Sequence, residues 1–150
     1  ADPGRPANDN GGRVRRRPDD MSYETEWTLR FGDVDPAGIL YYPRLFDRVV
    51  RGYEELMIEA GWPVSELIDG GTGMPIVNVE ADLFSPARHG QTLDITLSPT
   101  VNESSVVFDV RFDHDCQTVA RAQQTMVTID LDSFETRPVP EGLRTALQAV

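Results

Sequence analysis

The stretch "RFGDVDPAGILYYP", residues 30–43, places two aspartates in a turn and then enters an apolar, tyrosine-rich segment. Pro36 fixes its own φ and disfavours a helical conformation for Asp35, so we expect Asp35 to be extended. Gly38 permits a positive φ or a close approach of the backbone. The stretch is therefore predicted to end one element and begin another, with Asp35 at the junction.

A strand is predicted before this turn. From Tyr23 onward, large side chains alternate with polar ones, which is typical of a half-buried strand. The residues predicted to share one face are Tyr23, Thr25, Trp27, Leu29 and Phe31.

A long helix is predicted after the turn, because apolar residues recur at spacings of three and four. Pro43 suits the first helical turn, and Gly61 followed by Pro63 suits the end. The apolar stripe consists of Leu45, Phe46, Val49, Val50, Tyr53, Leu56, Met57 and Ala60.

The rest of the chain is predicted to be mostly strand. The glycine-rich segment 69–73 is expected to be a flexible loop, and residues 140–150 a short terminal helix. Alternating apolar residues predict strands over 75–84, near 93–97, over 106–112 and over 118–131. One long helix and about five antiparallel strands favour an α+β fold with the helix across the sheet. One helix covers only one face, so we expect a homo-oligomer.

The length of 150 residues suits one domain, predicted over 21–150. Residues 1–20 contain almost no large apolar side chain and are predicted to be a disordered tail. No apolar run is long enough to span a membrane, so we expect no membrane association. The start lacks an apolar segment, so we expect no secretory signal and a cytoplasmic location.

The net charge is −11, and every basic residue is arginine. Such a surface repels phosphates, so nucleic acid is not an expected partner. An acid-rich chain without lysine suits a protein that works in high salt, although a GC-rich genome explains the missing lysine equally well. His89, His114 and Cys116 have no metal-ligand spacing, so we expect neither a metal nor a cofactor.

Asp35 and the helix that begins near Tyr42 form a candidate catalytic pair. The first N–H groups of a helix have no internal partner and carry the positive end of its dipole. They can polarise a carbonyl oxygen while a nearby carboxylate attacks the carbon or activates water. The alternative is that Asp33 and Asp35 only stabilise the turn or cap the helix.

The segment "FGDVDPAGILYYPRLF", with the helix that ends at "EAGWP", resembles the signature of hotdog-fold acyl-CoA thioesterases of the 4-hydroxybenzoyl-CoA thioesterase type. The resemblance extends more weakly through "PIVNVEADLFSPARHGQTLDIT" and "SSVVFDVRF". It implies a long central helix wrapped by an antiparallel sheet, dimers that pair into tetramers with active sites at the dimer interface, and hydrolysis of a small or medium acyl- or aryl-CoA thioester.

By position, the resemblance implies that Asp35 is the catalytic nucleophile or general base. It implies that the backbone N–H of Tyr42 polarises the thioester carbonyl, that Gly38 and Ile39 line the site, and that Asp33 is structural. The family often holds the CoA phosphates with basic residues before the third strand, where this chain has Asn102 and Glu103.

Other residues are therefore candidates for substrate binding: Ser104, Ser105, Arg88 and His89. The carrier is CoA or an acyl-carrier protein, and CoA is favoured because an acidic carrier protein would be repelled.

Two alternatives stay open. The first is a hydratase or dehydratase of the same fold, which would need an Asp/His pair, and neither histidine lies near the first motif in the sequence. The second is a non-catalytic acyl-CoA-binding or regulatory protein, which would not need Asp35. A fold alone does not choose among them.

Overall fold

A computed structural model describes residues 22–150. The tail predicted over 1–20 lies outside the described residues. The elements, in chain order, are β1 (Tyr23–Thr28), α1 (Tyr42–Glu59), α2 (Val64–Asp69), β2 (Thr72–Gly73), β3 (Ile76–Leu83), β4 (Thr92–Val101), β5 (Ser105–His114), β6 (Gln117–Val127), β7 (Ile129–Asp130) and α3 (Glu141–Gln148).

The main sheet is antiparallel, with strand order β1-β4-β5-β6-β3, and β2 pairs separately with β7. The predicted α+β architecture, with one long helix and a five-stranded antiparallel sheet, is confirmed. Polar and charged residues occupy the outer face of the central strands, including Asp94, Asp109 and Arg121. The core therefore lies on the helix side of the sheet.

Helix α1 buries five of the eight residues of its predicted apolar stripe and leaves the other three half-buried; Leu45, Val49 and Leu56 are fully enclosed. Tyr53 meets Phe108 of β5 at 5.1 Å between ring centroids. Gly52 lets the helix approach β4 closely, because a Cβ at that position would lie 3.0 Å from Cδ1 of Leu97. These contacts fix the helix, and hence its N-terminus, relative to the sheet.

Strand β3 is an edge strand whose apolar side chains are exposed. Val79 pairs with buried Gln124 and Leu83 with buried Ala120, so both lie on the helix-facing side of the sheet. They nevertheless remain 41% and 54% exposed. Helix α1 therefore leaves this edge of the inner face uncovered.

Phe31 departs from the predicted strand face. The alternation predicts that it shares the face of Trp27 and Leu29, but its side chain is 87% exposed. A single 3-10 turn over Phe31–Asp33 follows β1 and ends the period-two pattern.

The strand predicted over 118–131 is divided, because β6 ends at Val127 and β7 begins at Ile129. The Thr128 hydroxyl between them donates to the carbonyls of Ser104 and Arg137, which turns the chain out of the main sheet. Part of the predicted loop over 69–73 is strand β2, since Thr72 pairs with Asp130.

Candidate active site

The loop that carries Asp35 is closed by its own backbone. The Asp35 N–H donates to the Ile39 carbonyl at 2.8 Å, and the Gly38 N–H donates to the Asp35 carbonyl at 2.9 Å. Gly38 has a φ of +79°, the left-handed conformation that glycine adopts without strain. The sequence Asp-Pro-Ala-Gly thus builds a tight loop that projects from the end of β1.

One oxygen of the Asp35 carboxylate is held by this loop. Oδ1 accepts from the backbone N–H groups of Ala37 at 2.9 Å and Ile39 at 3.3 Å. Within residues 22–150 the structure shows no hydrogen bond to Oδ2, and the residue is half-buried. The carboxylate therefore has a fixed orientation and one oxygen available for chemistry.

The N-terminus of α1 is tied to the same turn, because the Tyr41 N–H donates to the Asp33 carbonyl at 2.9 Å. Pro43 has no N–H, and the N–H of Arg44 is already bonded to the Tyr41 carbonyl at 2.9 Å. In the part of the chain that the structure describes, the Tyr42 N–H has no hydrogen-bond partner. It is thus the donor of the first helical turn that remains open to a ligand oxygen.

Asp33 has a different role in this geometry. Its Oδ2 accepts from the Arg30 N–H at 2.9 Å and from Nε1 of Trp27 at 3.3 Å. Both contacts anchor the turn to the end of β1. A structural role for Asp33 stays a prediction, which these two contacts favour.

The 85–91 turn packs against the Asp35 loop. The Leu40 N–H donates to the Ala87 carbonyl at 2.8 Å, and the His89 N–H donates to the Gly38 carbonyl at 3.2 Å. Ile39 also forms a β-bridge with Arg88. Four of the predicted site residues are therefore neighbours: Gly38, Ile39, Arg88 and His89.

The position of His89 corrects the expectation that neither histidine lies near the first motif. The backbone bonds that bring it there join segments about fifty residues apart, and no local spacing indicates them. The His89 ring lies 5.1 Å from the ring of Phe31. Between that ring and Asp35 the described residues show no hydrogen bond.

Ser104 and Ser105 lie at the other end of the sheet. The ten residues of β4 separate them from the Asp35 end, which corresponds to about 30 Å. The Ser105 hydroxyl accepts from Nδ2 of Asn102 at 3.1 Å, and the Ser104 carbonyl accepts from the Thr128 N–H at 2.9 Å. One protomer does not bring them to Asp35.

Within residues 22–150, a cleft lies near each end of α1, and Asp35 lines neither of these two. One, of about 340 Å³, lies near Trp62 and Leu67, beyond the C-terminal end of α1. The other, of about 360 Å³, is lined by Asp33, Arg44, Asp47, Arg48 and Arg51. This arginine cleft is not among the predicted sites, although its three arginines recur at spacings of four and three along the predicted helix.

Residues 22–150 contain no group of three or more histidine, cysteine, aspartate or glutamate side chains placed to hold a metal ion. In that same part of the chain, no helix has the length and apolarity needed to cross a membrane.

Comparison with known proteins places the chain in a family. The model of the Thioesterase-like superfamily matches residues 29–147. A 1,4-dihydroxy-2-naphthoyl-CoA hydrolase of Synechococcus elongatus is 30% identical over 129 residues, covering 84% of this chain and 95% of the relative.

Solved structures agree with this assignment. A 1,4-dihydroxy-2-naphthoyl-CoA thioesterase from Synechocystis superposes with a TM-score of 0.79 at 25% identity, covering 84% of this chain and 95% of its own. A gentisyl-coenzyme A thioesterase superposes with a TM-score of 0.73 at 26% identity, covering 83% and 98%. The chain belongs to the Thioesterase-like superfamily, and it is a thioester hydrolase with the hotdog fold.

Proposed function

We propose that this protein hydrolyses an acyl-CoA thioester to the free acid and CoA, with Asp35 as nucleophile or general base. Two observations support the proposal: a carboxylate that is oriented with one oxygen available, and an open N–H at the start of the helix that begins seven residues later in the chain. Oδ1 of Asp35 is fixed by two backbone donors, Oδ2 is available, and the Tyr42 N–H has no partner within residues 22–150.

The chemistry suits these two groups. A thioester carbonyl is electrophilic and its thiolate leaves readily, so no serine relay is required. The Tyr42 N–H, at the positive end of the α1 dipole, stabilises the negative charge that develops on the carbonyl oxygen. Asp35 either attacks the carbonyl carbon to form a mixed anhydride or removes a proton from the attacking water. Neither route needs a metal or a cofactor.

We further propose that the acyl group is a hydroxylated aromatic ring. Two of the similar proteins are named for such thioesters, those of 1,4-dihydroxy-2-naphthoate and gentisate. The side chains of Tyr41 and Tyr42 at the start of α1 are 49% and 60% exposed, so they offer accessible aromatic surface next to the Tyr42 N–H.

The wall of the substrate pocket is proposed to come from a second copy of the chain. Strand β3 has one unpaired edge and exposes Val79 and Leu83, which favours antiparallel pairing with the same strand of another protomer. The chain leaves β3 at Leu83 and reaches Ala87, which contacts the Asp35 loop. The candidate site therefore adjoins the proposed interface.

Such pairing also gives Ser104 and Ser105 a role in substrate binding. The carbonyl of Pro75, just before β3, accepts from Val127, and the neighbouring Thr128 contacts Ser104. The two serines thus lie at the Ile76 end of β3 within each protomer. Antiparallel pairing about a two-fold axis places that end of one copy beside the Leu83 end of the other. Serines from one copy would then approach Asp35 of its neighbour.

Release of free thiol from a panel of thioesters tests the proposal. We expect turnover with aryl-CoA substrates, and higher kcat/KM for hydroxylated aromatic than for straight-chain acyl groups. Saturable binding without thiol release would contradict the proposal and favour the acyl-CoA-binding alternative. Addition of water to an enoyl-CoA without thiol release would favour a hydratase.

A single turnover in ¹⁸O-labelled water distinguishes the two roles of Asp35. Label recovered in the Asp35 carboxylate, together with unlabelled acid product, identifies attack by the side chain. Label found in the product alone is expected from the general-base route, and also from an anhydride that water cleaves at the acyl carbon. Mass spectrometry of the protein during the turnover separates these two, because only the anhydride route adds the mass of the acyl group to the chain. The proposed CoA substrate also accords with the cytoplasmic location expected from the sequence, which stays a prediction.

A further inference from the structure

The N-terminal half of α1 carries an arginine cleft, defined by Arg44, Arg48 and Arg51 with Asp33 and Asp47. Its volume is about 360 Å³, which is large enough for a small anion and part of its carrier. The cleft draws on the same turn and the same first helical turn as the candidate active site, since Asp33 lies two residues before Asp35 and Arg44 two residues after Tyr42 in the chain.

Within residues 22–150, two of the three guanidinium groups have no carboxylate in direct contact. The Asp33 carboxylate is bonded to the Arg30 N–H and the Trp27 indole, and Asp47 pairs with Arg44 at 3.2 Å. Across residues 22–150 the structure shows no ion pair to Arg48 or Arg51. The cleft thus presents two positive groups that are not neutralised by direct contact.

The charged form of Arg48 is destabilised by partial burial. Its guanidinium carbon lies 5.2 Å from the centre of the Trp27 ring, and the residue is half-buried. Burial lowers the pKa of Arg48 below its ordinary value, the charge of Arg51 lowers it further, and Asp33 and Glu55 act in the opposite direction. A bound anion would offset both the desolvation of the Arg48 charge and its repulsion by Arg51.

The charges of α1 also run against its dipole. Arginines occupy the N-terminal half, the first turn has no acidic residue, and Glu54, Glu55 and Glu59 occupy the C-terminal half. This order is unfavourable for helix stability, because the charges at both ends oppose the helix dipole. It concentrates positive charge toward the N-terminal end of α1, in a protein whose net charge is −11.

We propose that the arginine cleft binds the phosphate groups of the CoA carrier, an inference that rests on the proposed function. Guanidinium forks match phosphate oxygens in geometry and charge. Arg48 and Arg51 lie six and nine residues beyond Tyr42, about 9 and 14 Å along the helix axis. A flexible pantetheine arm spans such a separation while its thioester rests on the Tyr42 N–H.

Equilibrium binding of CoA tests the inference without any turnover. We expect the combined Arg48→Gln and Arg51→Gln variant to bind CoA at least tenfold more weakly than the unaltered protein. The combined Arg111→Gln and Arg121→Gln variant is the matched control, because it also removes two positive charges, from the outer face of β5 and β6, and should change the Kd less than twofold. Equal weakening in both variants would overturn the inference, since it would reflect net charge alone. An unchanged Kd in the double variant would also overturn it.

Arg51 is exposed, so Arg51→Gln alone provides a folded variant if loss of the Arg48 contact with Trp27 impairs folding. We expect a CoA affinity reduced about threefold or more in this single variant, and an unchanged affinity would overturn the inference.

Competition with inorganic phosphate tests whether the cleft binds the phosphates of CoA or only free phosphate. We expect it to compete with CoA for the cleft, whereas phosphate binding that leaves the CoA affinity unchanged would identify a site for free phosphate only and overturn the carrier assignment.

Hydrolysis supplies a second readout. In the arginine variants, KM for an aryl-CoA should rise about tenfold while kcat is unchanged. The corresponding pantetheine thioester, which has no phosphate, should be hydrolysed equally well by all variants. Absence of hydrolysis in every protein, with CoA binding still dependent on the arginines, would contradict the proposed function while leaving the phosphate site in place.

Discussion

Asp35 is oriented by backbone atoms of its own loop. The two N–H groups that hold Oδ1 belong to Ala37 and Ile39, on either side of Gly38. A change in the conformation of Gly38 therefore displaces an N–H group that donates to the Asp35 carboxylate, while the carboxylate itself is chemically unaltered.

The Gly38→Ala variant should lose activity because of this coupling. Its φ of +79° would strain an alanine by about 1 kcal/mol, and relaxation would displace the Ile39 N–H. We expect kcat/KM to fall at least fivefold with a small loss of stability, measured by thiol release and urea unfolding.

Gly32→Ala is the matched control for this variant. Gly32 lies in the same turn, a Cβ there meets nothing within 4 Å, and its φ is not in the left-handed region. An equal loss of activity in both variants would show that Gly38 has no special role in positioning Asp35.

The sequence predicts some residues of the site and not others, for physical reasons. The Asp35 loop and the Tyr42 helix start are consecutive in the chain, so turn chemistry and apolar periodicity indicate both. His89 reaches Gly38 through a long-range backbone bond, which leaves no periodic signal. Phe31 was expected on the buried strand face because alternation alone does not indicate a 3-10 turn.

The hairpin between β5 and β6 shows how an element can carry local strain. Its two turn residues, Asp115 and Cys116, have φ values of 47° and 64°. This pair of left-handed conformations is the geometry of a type I′ turn, for which asparagine followed by glycine is favoured.

Cys116→Gly should therefore stabilise the protein. Relief of the left-handed strain should raise the free energy of unfolding by roughly 1 kcal/mol. The greater conformational entropy of glycine in the unfolded chain offsets part of this gain. Urea unfolding measures the change. Cys116→Ser removes the thiol but keeps the Cβ, so it should give no gain, and a loss of stability in the glycine variant would refute the strain argument.

Element boundaries were predictable where the apolar period is strong. The 18-residue helix α1 and the strands β4 and β5 follow directly from it. The six-residue α2 and the two-residue strands β2 and β7 are too short for a period to be read. Their positions depend on tertiary contacts such as the Thr128 hydroxyl bonds, which no local pattern encodes.

At the scale of the whole molecule, the exposed apolar edge of β3 predicts an obligate dimer. Val79→Glu would place a charge in the proposed interface, where desolvation opposes it. We expect the protomers to dissociate, observed by sedimentation, and thiol-release activity to fall at least tenfold.

Thr100→Glu is the control, because it adds the same charge at an exposed position of β4. It should leave both the association state and the activity unchanged. A Val79→Glu variant that retains its association state and full activity would refute an interface at β3.

The net charge of −11 leads to a prediction about salt. If the acidic surface is adapted to high ionic strength, added ions should screen its self-repulsion. We expect Tm to rise by several degrees between about 0.1 M and 2 M KCl, where screening is nearly complete. A Tm that stays constant or falls would instead favour a genomic bias as the origin of the lysine-free composition.

We propose that the free oxygen of Asp35 performs the chemistry while the helix N-terminus holds the carbonyl. The kcat of Asp35→Asn with an aryl-CoA tests this division of roles, measured alongside Asp33→Asn and the Tm of each variant. Asparagine keeps an oxygen acceptor for the Ala37 and Ile39 N–H groups, so the loop should stay folded. We expect a kcat lower by about 10²–10⁴ for Asp35→Asn and within a few fold of the unaltered protein for Asp33→Asn. Turnover near that of the unaltered protein in a folded Asp35→Asn variant would refute the catalytic role of Asp35.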